Sequence, residues 1–348
     1  MHPLPNDLNP VKSFSEQVVE KVCVFICCCL YDSESYNKMK KHNFIVRNYR
    51  PSDFDDYVRL QVTTEKRDRS GRHISKQRLA ENLGHPAFHP QSDLFVAERS
   101  GRLVGYVSVF LEPGIGRALL DGLVHPLHRN KGIATELFDH AIRYAKKTGV
   151  KVVQVCISET NLAARHFVSV LGLRYVRRFI VFKLDLATMQ LPDATPGAYI
   201  IRNLKQGEEQ LLTDIQNRSF ADAWGFNPNT RDEIAYRINL SSCSAKNIIM
   251  AYREDKPVGY CWTRMLSERN RTAGVMTGEI HMLGVDPDFQ KKGIGRKVLL
   301  AGLSYLKSNG ISIVELTADS ENREGLRLYK SVGFKELMKT EWYEKALS

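Results

Sequence analysis

Two short glycine turns carry the plainest chemistry in this sequence. Gln290-Lys-Lys-Gly-Ile-Gly295 stands between the apolar run 280–285 and the helical run 297–306. A turn of this kind at the head of a helix leaves backbone N–H groups unpaired and aimed at one point, where the helix dipole also favours an anion. Gly293 and Gly295 allow unusual dihedrals and a close approach of the chain. Lys291, Lys292 and Arg296 add positive charge on either side of Gly293 and Ile294. The turn reads as a pyrophosphate cradle. Arg129-Asn-Lys-Gly-Ile-Ala134 repeats it after the run 119–124.

A lone glycine turn is weak evidence, and its recurrence gives it weight. Gly132 and Gly293, Asn161 and Asn322, Gly172 and Gly333, Val124 and Val285 all lie 161 residues apart. Upstream, Ala97 and Ala251, and Gly105 and Gly259, lie 154 apart, so the second copy carries seven extra residues between Met265 and Gly278. A period this long means two duplicated domains rather than a solenoid. A length of 348 residues fits about two domains.

Elements that would position the turns follow in the same order in both copies. The first reads as a strand at 44–47, helices near 53–61 and 75–83, and a hairpin of 94–97 with 103–110. Strand 118–124, helix 132–147, strand 150–157, helix 161–171 and two closing strands within 173–184 complete it. The second reads as strand 199–202, helices 208–218 and 231–238, hairpin 248–252 with 258–265, strand 279–285, helix 293–308, strand 311–317 and helix 322–331. The expected fold is α/β: two tandem domains, each a mixed, mostly antiparallel sheet flanked by helices. The expected boundaries are an extension at 1–42, domains at 43–186 and 199–348, and a Pro/Gly-containing linker at 187–198.

The net charge of +11 admits nucleic acid, an anionic surface or a polyphosphate ligand as partner. The basic run 66–72 has no interleaved aromatic residues and no reader motif accompanies it, so no nucleic acid is expected. Seven cysteines show neither a disulfide framework nor zinc spacing, so no metal is expected and the usage fits a cytoplasmic protein. The apolar run 22–30 is too short to span a bilayer, which needs about 20 residues. No membrane partner is expected. Residues 1–42 are expected to be poorly ordered, and those before Met39 dispensable.

The element order, with Arg/Gln-x-x-Gly-x-Gly/Ala after the fourth strand, resembles the GNAT (GCN5-related) N-acetyltransferase superfamily. The resemblance covers residues 43 to the C-terminus in two copies. In tandem it is distantly similar to the mycothiol synthases, acetyl-CoA-dependent amine acetyltransferases in which the C-terminal half is linked to catalysis. The resemblance implies acetyl-CoA as co-substrate, with the pantetheine arm between the splayed fourth and fifth strands. Implied anchors are the strand residues Leu283, Gly284 and Val285, the turn Gln290 to Arg296, and Asn322. Tyr329 falls at the family's tyrosine position, where a phenol protonates the departing thiolate. Asn322 also suits a helix cap.

An alkyl amine is mostly protonated near neutral pH, its pKa being about 10.4. It must lose a proton before or during attack on a thioester, so a base within reach is needed. Glu279 is the preferred base, with His281, two residues on and on the same face, in reserve. A strand N–H near Leu283 would meet the developing oxyanion. In the first copy, Val168 stands for Tyr329 and Ala118 for Glu279 at the 161 offset, and neither transfers a proton. That copy keeps Val124, Arg129, Lys131, Gly132, Ala134 and Asn161. It either binds coenzyme A without turnover or serves as a scaffold.

The expected activity is acetyl transfer to a primary amine of a small molecule. The alternatives are a peptide acceptor and a non-catalytic coenzyme A sensor. Acceptor choice is expected at 219–232, at a final loop 337–344 and in the insertion 267–273, and the protein is expected to be a monomer or homodimer.

Overall fold

The computed structural model describes residues 43–68, 74–191, 198–266 and 275–347. The extension 1–42, most of the basic run, half of the linker and the insertion 267–273 lie outside these.

Strands form wherever β-branched and aromatic residues run unbroken, and glycine or left-handed residues turn them. Ser100 (φ 51°) and Gly101 (φ 73°) make the two-residue turn between β2 (Leu94–Arg99) and β3 (Arg102–Glu112). The first copy continues with β4 (Arg117–Val124), α4 (Ile133–Lys147), β5 (Val152–Ser158), α5 (Leu162–Val170) and β6 (Arg174–Asp185). Before the hairpin come β1 (Ile45–Asn48), α1 (Phe54–Asp68), α2 (Lys76–Leu83) and the single turn α3 (Pro90–Asp93). The second copy repeats the order: β7 (Ile200–Asn203), α6 (Glu209–Ser219), α7 (Arg231–Ile238), β8 (Ile248–Arg253), β9 (Lys256–Met265) and β10 (Thr277–Val285). It ends with α8 (Ile294–Ser308), β11 (Ile313–Asp319), α9 (Arg323–Val332) and β12 (Lys335–Ala346).

The strands form one twelve-stranded sheet, ordered β1-β2-β3-β4-β5-β12-β6-β11-β10-β9-β8-β7. Among the described residues only β4–β5 and β10–β11 pair in parallel. Each copy's last strand crosses into the other half. β6 pairs with β11 (Ile313 opposite Asp185), and β12 pairs with β5 (Ala346 opposite Val152). These contacts match under the 161 offset, so the exchange is pseudo-two-fold. β6 is a single strand where two closing strands were expected, because no turn residue interrupts it. The segment 337–344, expected as a loop, lies within β12 at this seam.

Packing follows the exchange. The first copy's core takes in Trp342 and Tyr343 from β12, and the core under α8 takes in Ile180, Phe182 and Leu184 from β6. Full burial of each such aliphatic or aromatic side chain stabilises by roughly 1.5–3 kcal/mol. Two further clusters sit beneath α1–α2 and beneath α6–α7.

Candidate active site

β10 and β11 stay paired for only three rungs, the last joining Glu279 to Glu315. A bulge at His281 follows, since Ile280 faces Thr263 of β9 while Met282 already faces Trp262. Beyond it β10 and β11 part, leaving the β11-facing edge of Met282, Leu283, Gly284 and Val285 without a strand partner among the described residues. The gap between two parallel strands is a ready bay for an extended chain, since backbone groups along its edge need partners.

The face of this sheet under α6 and α7 carries an unusual polar row at the vertex. Arg264 on β9, Glu279 on β10 and Glu315 on β11 are register neighbours, and they are 1%, 0% and 0% exposed. His281 lies against the Trp262 ring on the same face, 5.1 Å between centroids. Strand alternation puts Ile280, Val314 and Leu316 on the opposite face, in the core beneath α8. Glu279, at a strand start where solvent exposure is usual, is thus fully buried. Arg264 and Glu315 were not singled out in the sequence. A charged residue amid the apolar run 311–316 was the one available signal.

Tyr329 is on the other side of the gap. It belongs to the core beneath α8 and is 8% exposed, with Phe182 of β6 at 6.2 Å and Phe334 at 6.1 Å. Burial raises the phenol well above its ordinary value, and the neighbouring Cys261 adds to this. Among the described residues no hydrogen-bond partner takes its hydroxyl. Glu279 and Tyr329 therefore lie on opposite faces of the sheet.

The two glycine turns have one conformation. Gly132 (φ 76°) and Gly293 (φ 78°) are left-handed, and so are Asn130 (φ 59°) and Lys291 (φ 60°). A non-glycine residue there costs about 1–2 kcal/mol, and both turns carry that cost at the same place. Lys131 Nζ donates to Leu127 O and Lys292 Nζ to Asp288 O, each at 2.9 Å. Arg129 Nε and Gln290 Nε2 donate to Val124 O and Val285 O, at 3.1 and 3.4 Å. Among the described residues the N–H groups of Lys291, Lys292 and Gly293 have no acceptor, and a Cβ on Gly293 would meet nothing within 4 Å. These open donors at the head of α8 suit a pyrophosphate. A Cβ on Gly295 would find only ordinary contacts, which explains why Ala134 is tolerated at that place. Arg296 Nη1 donates to Ser331 Oγ at 3.0 Å. Asn161 and Asn322 both cap helices, accepting from Ala164 N at 3.1 Å and Gly325 N at 2.9 Å.

At the vertex the copies differ, and the 161 offset misplaces the correspondence. β4 has no bulge, so upstream of His281 the copies run 160 apart. Leu119, not Ala118, occupies the place of Glu279, because Leu119 pairs with Phe110 and Gln154 as Glu279 pairs with Arg264 and Glu315. The first copy's row is thus Phe110–Leu119–Gln154. Asp121, two residues on in β4, accepts the Tyr106 hydroxyl at 2.7 Å.

Fold and site together define a tandem acyltransferase. The sequence pattern of the Acetyltransferase (GNAT) family matches residues 57–173 and again 210–334, and the chain belongs to that family. It is similar to a mycothiol acetyltransferase of Sanguibacter keddieii, 30% identical over 269 residues that cover 75% of this chain and 83% of the relative. A mycothiol acetyltransferase of Nocardia farcinica is 28% identical over 75% of this chain and 84% of its own. Among solved structures, a GCN5-related N-acetyltransferase from Sphaerobacter thermophilus shares the fold, with TM-score 0.66 at 21% identity over 88% of this chain and 96% of that one. So does a tandem GNAT protein from the clavulanic acid biosynthesis pathway, with TM-score 0.65 at 17% identity over 88% and 99%. Among the described residues no helix is long and apolar enough to cross a membrane, and no group of three or more His, Cys, Asp or Glu is placed to hold a metal ion.

Proposed function

We propose that the C-terminal copy moves an acetyl group from acetyl-CoA to a primary amine on a small molecule. One observation carries this reading: the buried row Arg264–Glu279–Glu315 replaces the first copy's Phe110–Leu119–Gln154 at equivalent places. Burying charge costs several kcal/mol per ion unless it is compensated, and at these equivalent places only the second copy carries ionisable side chains. The two carboxyl groups of the row face α6 and α7, where an ammonium group would find oxygen acceptors. The open donors of residues 291–293 and the free edge of β10 fit the pyrophosphate and pantetheine of acetyl-CoA, with Asn322 at the neighbouring helix start.

In this reading Glu279 takes the proton of the ammonium, with His281 beside it. The nitrogen lone pair forms a bond to the thioester carbon while a backbone N–H near Leu283 meets the oxygen's charge. The C–S bond then breaks with its electron pair on sulfur, Tyr329 supplies the proton that makes the free thiol, and the nitrogen's second proton leaves as the amide forms, returning through solvent to the Tyr329 phenolate while Glu279 releases its own proton to solvent. The base works from the α6–α7 face and the acid from the α8–α9 face, so acceptor and thioester meet in the gap. The first copy keeps the turn at Arg129, Lys131, Gly132 and Ala134 but has Leu119 and Val168 at the proton-transfer places. It binds the coenzyme without turnover. The mycothiol acetyltransferase relatives favour a small-molecule acceptor over a peptide.

The test is thiol release from acetyl-CoA against amino sugars, polyamines, amino acids and short peptides. Acceptor-dependent release with one small-molecule amine class supports the reading. Release with peptides alone overturns its acceptor, and release from no amine overturns the reading itself.

A further inference from the structure

The segment between α6 and α7 crosses the mouth of the active splay, and its far end is held by the first copy. At its near end, Ser219 sits against β10, since a Cβ on Gly284 would come within 2.9 Å of Ser219 Cβ. Asn217 closes the neck with its side-chain amide, donating through Nδ2 to Asn229 O and accepting at Oδ1 from Asn229 N, each at 2.9 Å. At its far end, Trp224 lies 6.0 Å from the Phe179 ring and 5.9 Å from the Trp342 ring, with the Arg177 guanidinium 5.7 Å away. Phe179 is the register partner of Asp319, the last residue of β11, and Arg177 is ion-paired to Asp319 at 2.8 Å. The segment thus runs from one arm of the splay past the end of the other, on the face that carries Arg264, Glu279 and Glu315.

Beyond Trp224 a single buried side chain takes hold. Arg117, on β4 of the first copy, donates through Nη2 to Gly225 O at 2.6 Å. Its Nε donates to Glu112 Oε2 at 2.6 Å and its Nη1 to Gln154 Oε1 at 3.0 Å, and Gln154 in turn donates to Glu344 at 2.6 Å. The guanidinium is therefore fixed on three sides, which makes it a rigid peg rather than a flexible surface arginine. Gly225 is fitted to it. Its φ is 66°, and a Cβ there would lie 2.4 Å from Arg117 Nη1. In the second copy, Thr277 occupies the place of Arg117 by strand register, so the peg belongs to the first copy alone. Tyr236 of α7 adds a second tie, donating to Glu81 O of α2 at 2.5 Å.

We propose that Arg117 is a positioning residue for acceptor binding: the first copy, without proton-transfer groups of its own, orders the roof 219–226 of the second copy's acceptor side through Gly225. The inference rests on the acetyl-transfer reading above for its kinetic consequence, and on geometry alone for the ordering. It assigns the first copy a role in acceptor affinity that is separate from any coenzyme it binds. Losing the peg loosens the roof but leaves the phosphate turn at 290–296 and the β10 edge in place.

Two variants approach the contact from opposite sides. Arg117→Met removes the donor, and Gly225→Ala displaces it from the exposed segment while keeping the buried Arg117–Glu112 pair. Both are expected to raise the acceptor KM at least tenfold, with the acetyl-CoA KM and the kcat at saturating acceptor within about twofold of wild type. The double variant is expected to be no worse than the worse single one, as for two residues of one contact. Amide exchange of residues 220–226 should speed up at least tenfold in each, while residues 291–296 keep their wild-type rate. Unchanged exchange in a folded variant overturns the inference, as does a parallel rise in both KM values. If wild-type protein turns over no amine, the functional reading fails and the exchange result alone decides whether Arg117 orders the roof.

Discussion

Glu279 and Glu315 sit where an unneutralised carboxylate is costly, and the fold places them side by side on the last rung before β10 and β11 part. A glutamate at a strand start reads as solvated from sequence, and only the register reveals Arg264 and Glu315 as its neighbours. Periodicity gives the face of a side chain but not which strand lies beside it, so Glu279, His281 and Tyr329 could be named as candidates from sequence while Arg264 and Glu315 could not. Burial keeps the Tyr329 phenol well above its ordinary value near 10. It therefore stays protonated, as an acid for the thiolate must. Tyr329→Phe is expected to lower kcat by about 10²–10⁴-fold, the usual range for a positioned acid, with the acetyl-CoA KM little changed. In wild type, any alkaline loss of kcat due to this group should begin above pH ~10. A kcat in Tyr329→Phe within threefold of wild type would remove the phenol from the mechanism.

At the scale of elements, the two glycine turns were readable because glycine spacing and helix position together specify them. The bulge at His281 was not, because a single added residue without turn chemistry leaves a gapless repeat looking gapless; the structure relocates the extra residue only through register. The copies also share a device at the start of their first helices. Arg47 bonds Asp53 at 2.7 and 2.8 Å, and Arg202 bonds Glu208 at 2.8 Å through both nitrogens. The arginine bonds hold each carboxyl below its ordinary range, against an opposing push from burial. Since the folded pKa values are depressed, the stabilisation is complete above the ordinary carboxylate range and is lost as pH falls through the folded values. Asp53→Asn and Glu208→Gln should each lower Tm at pH 7, and the deficit should shrink towards acid pH. A deficit that grows on acidification would contradict the assigned partners.

On the scale of the molecule, the repeat announced two copies, and it hid that they exchange their last strands. Sequence order and spatial order coincide for most neighbouring strands, which is why β6 and β12 read as closing their own halves. The exchange means neither half has a complete sheet alone. Ending the chain at Phe334 removes β12, uncovers β5 and β6, and takes Trp342 and Tyr343 from the first copy's core. That truncation is expected to abolish the cooperative thermal transition seen by circular dichroism and to end activity, although Glu279 and Tyr329 are retained. A truncated protein that melts within a few degrees of wild type would contradict the exchanged sheet.

The central claim is that the C-terminal copy performs the transfer while the N-terminal copy does not. The most direct measurement compares acetyl transfer to the accepted amine by Gly293→Glu and Gly132→Glu, the same substitution at equivalent left-handed glycines in two turns of one conformation. Backbone strain is matched, so the difference reports which turn serves catalysis. The account predicts that Gly293→Glu loses at least a hundredfold in kcat/KM for acetyl-CoA while Gly132→Glu stays within about threefold of wild type. The reverse order, or equal losses in both, would contradict it.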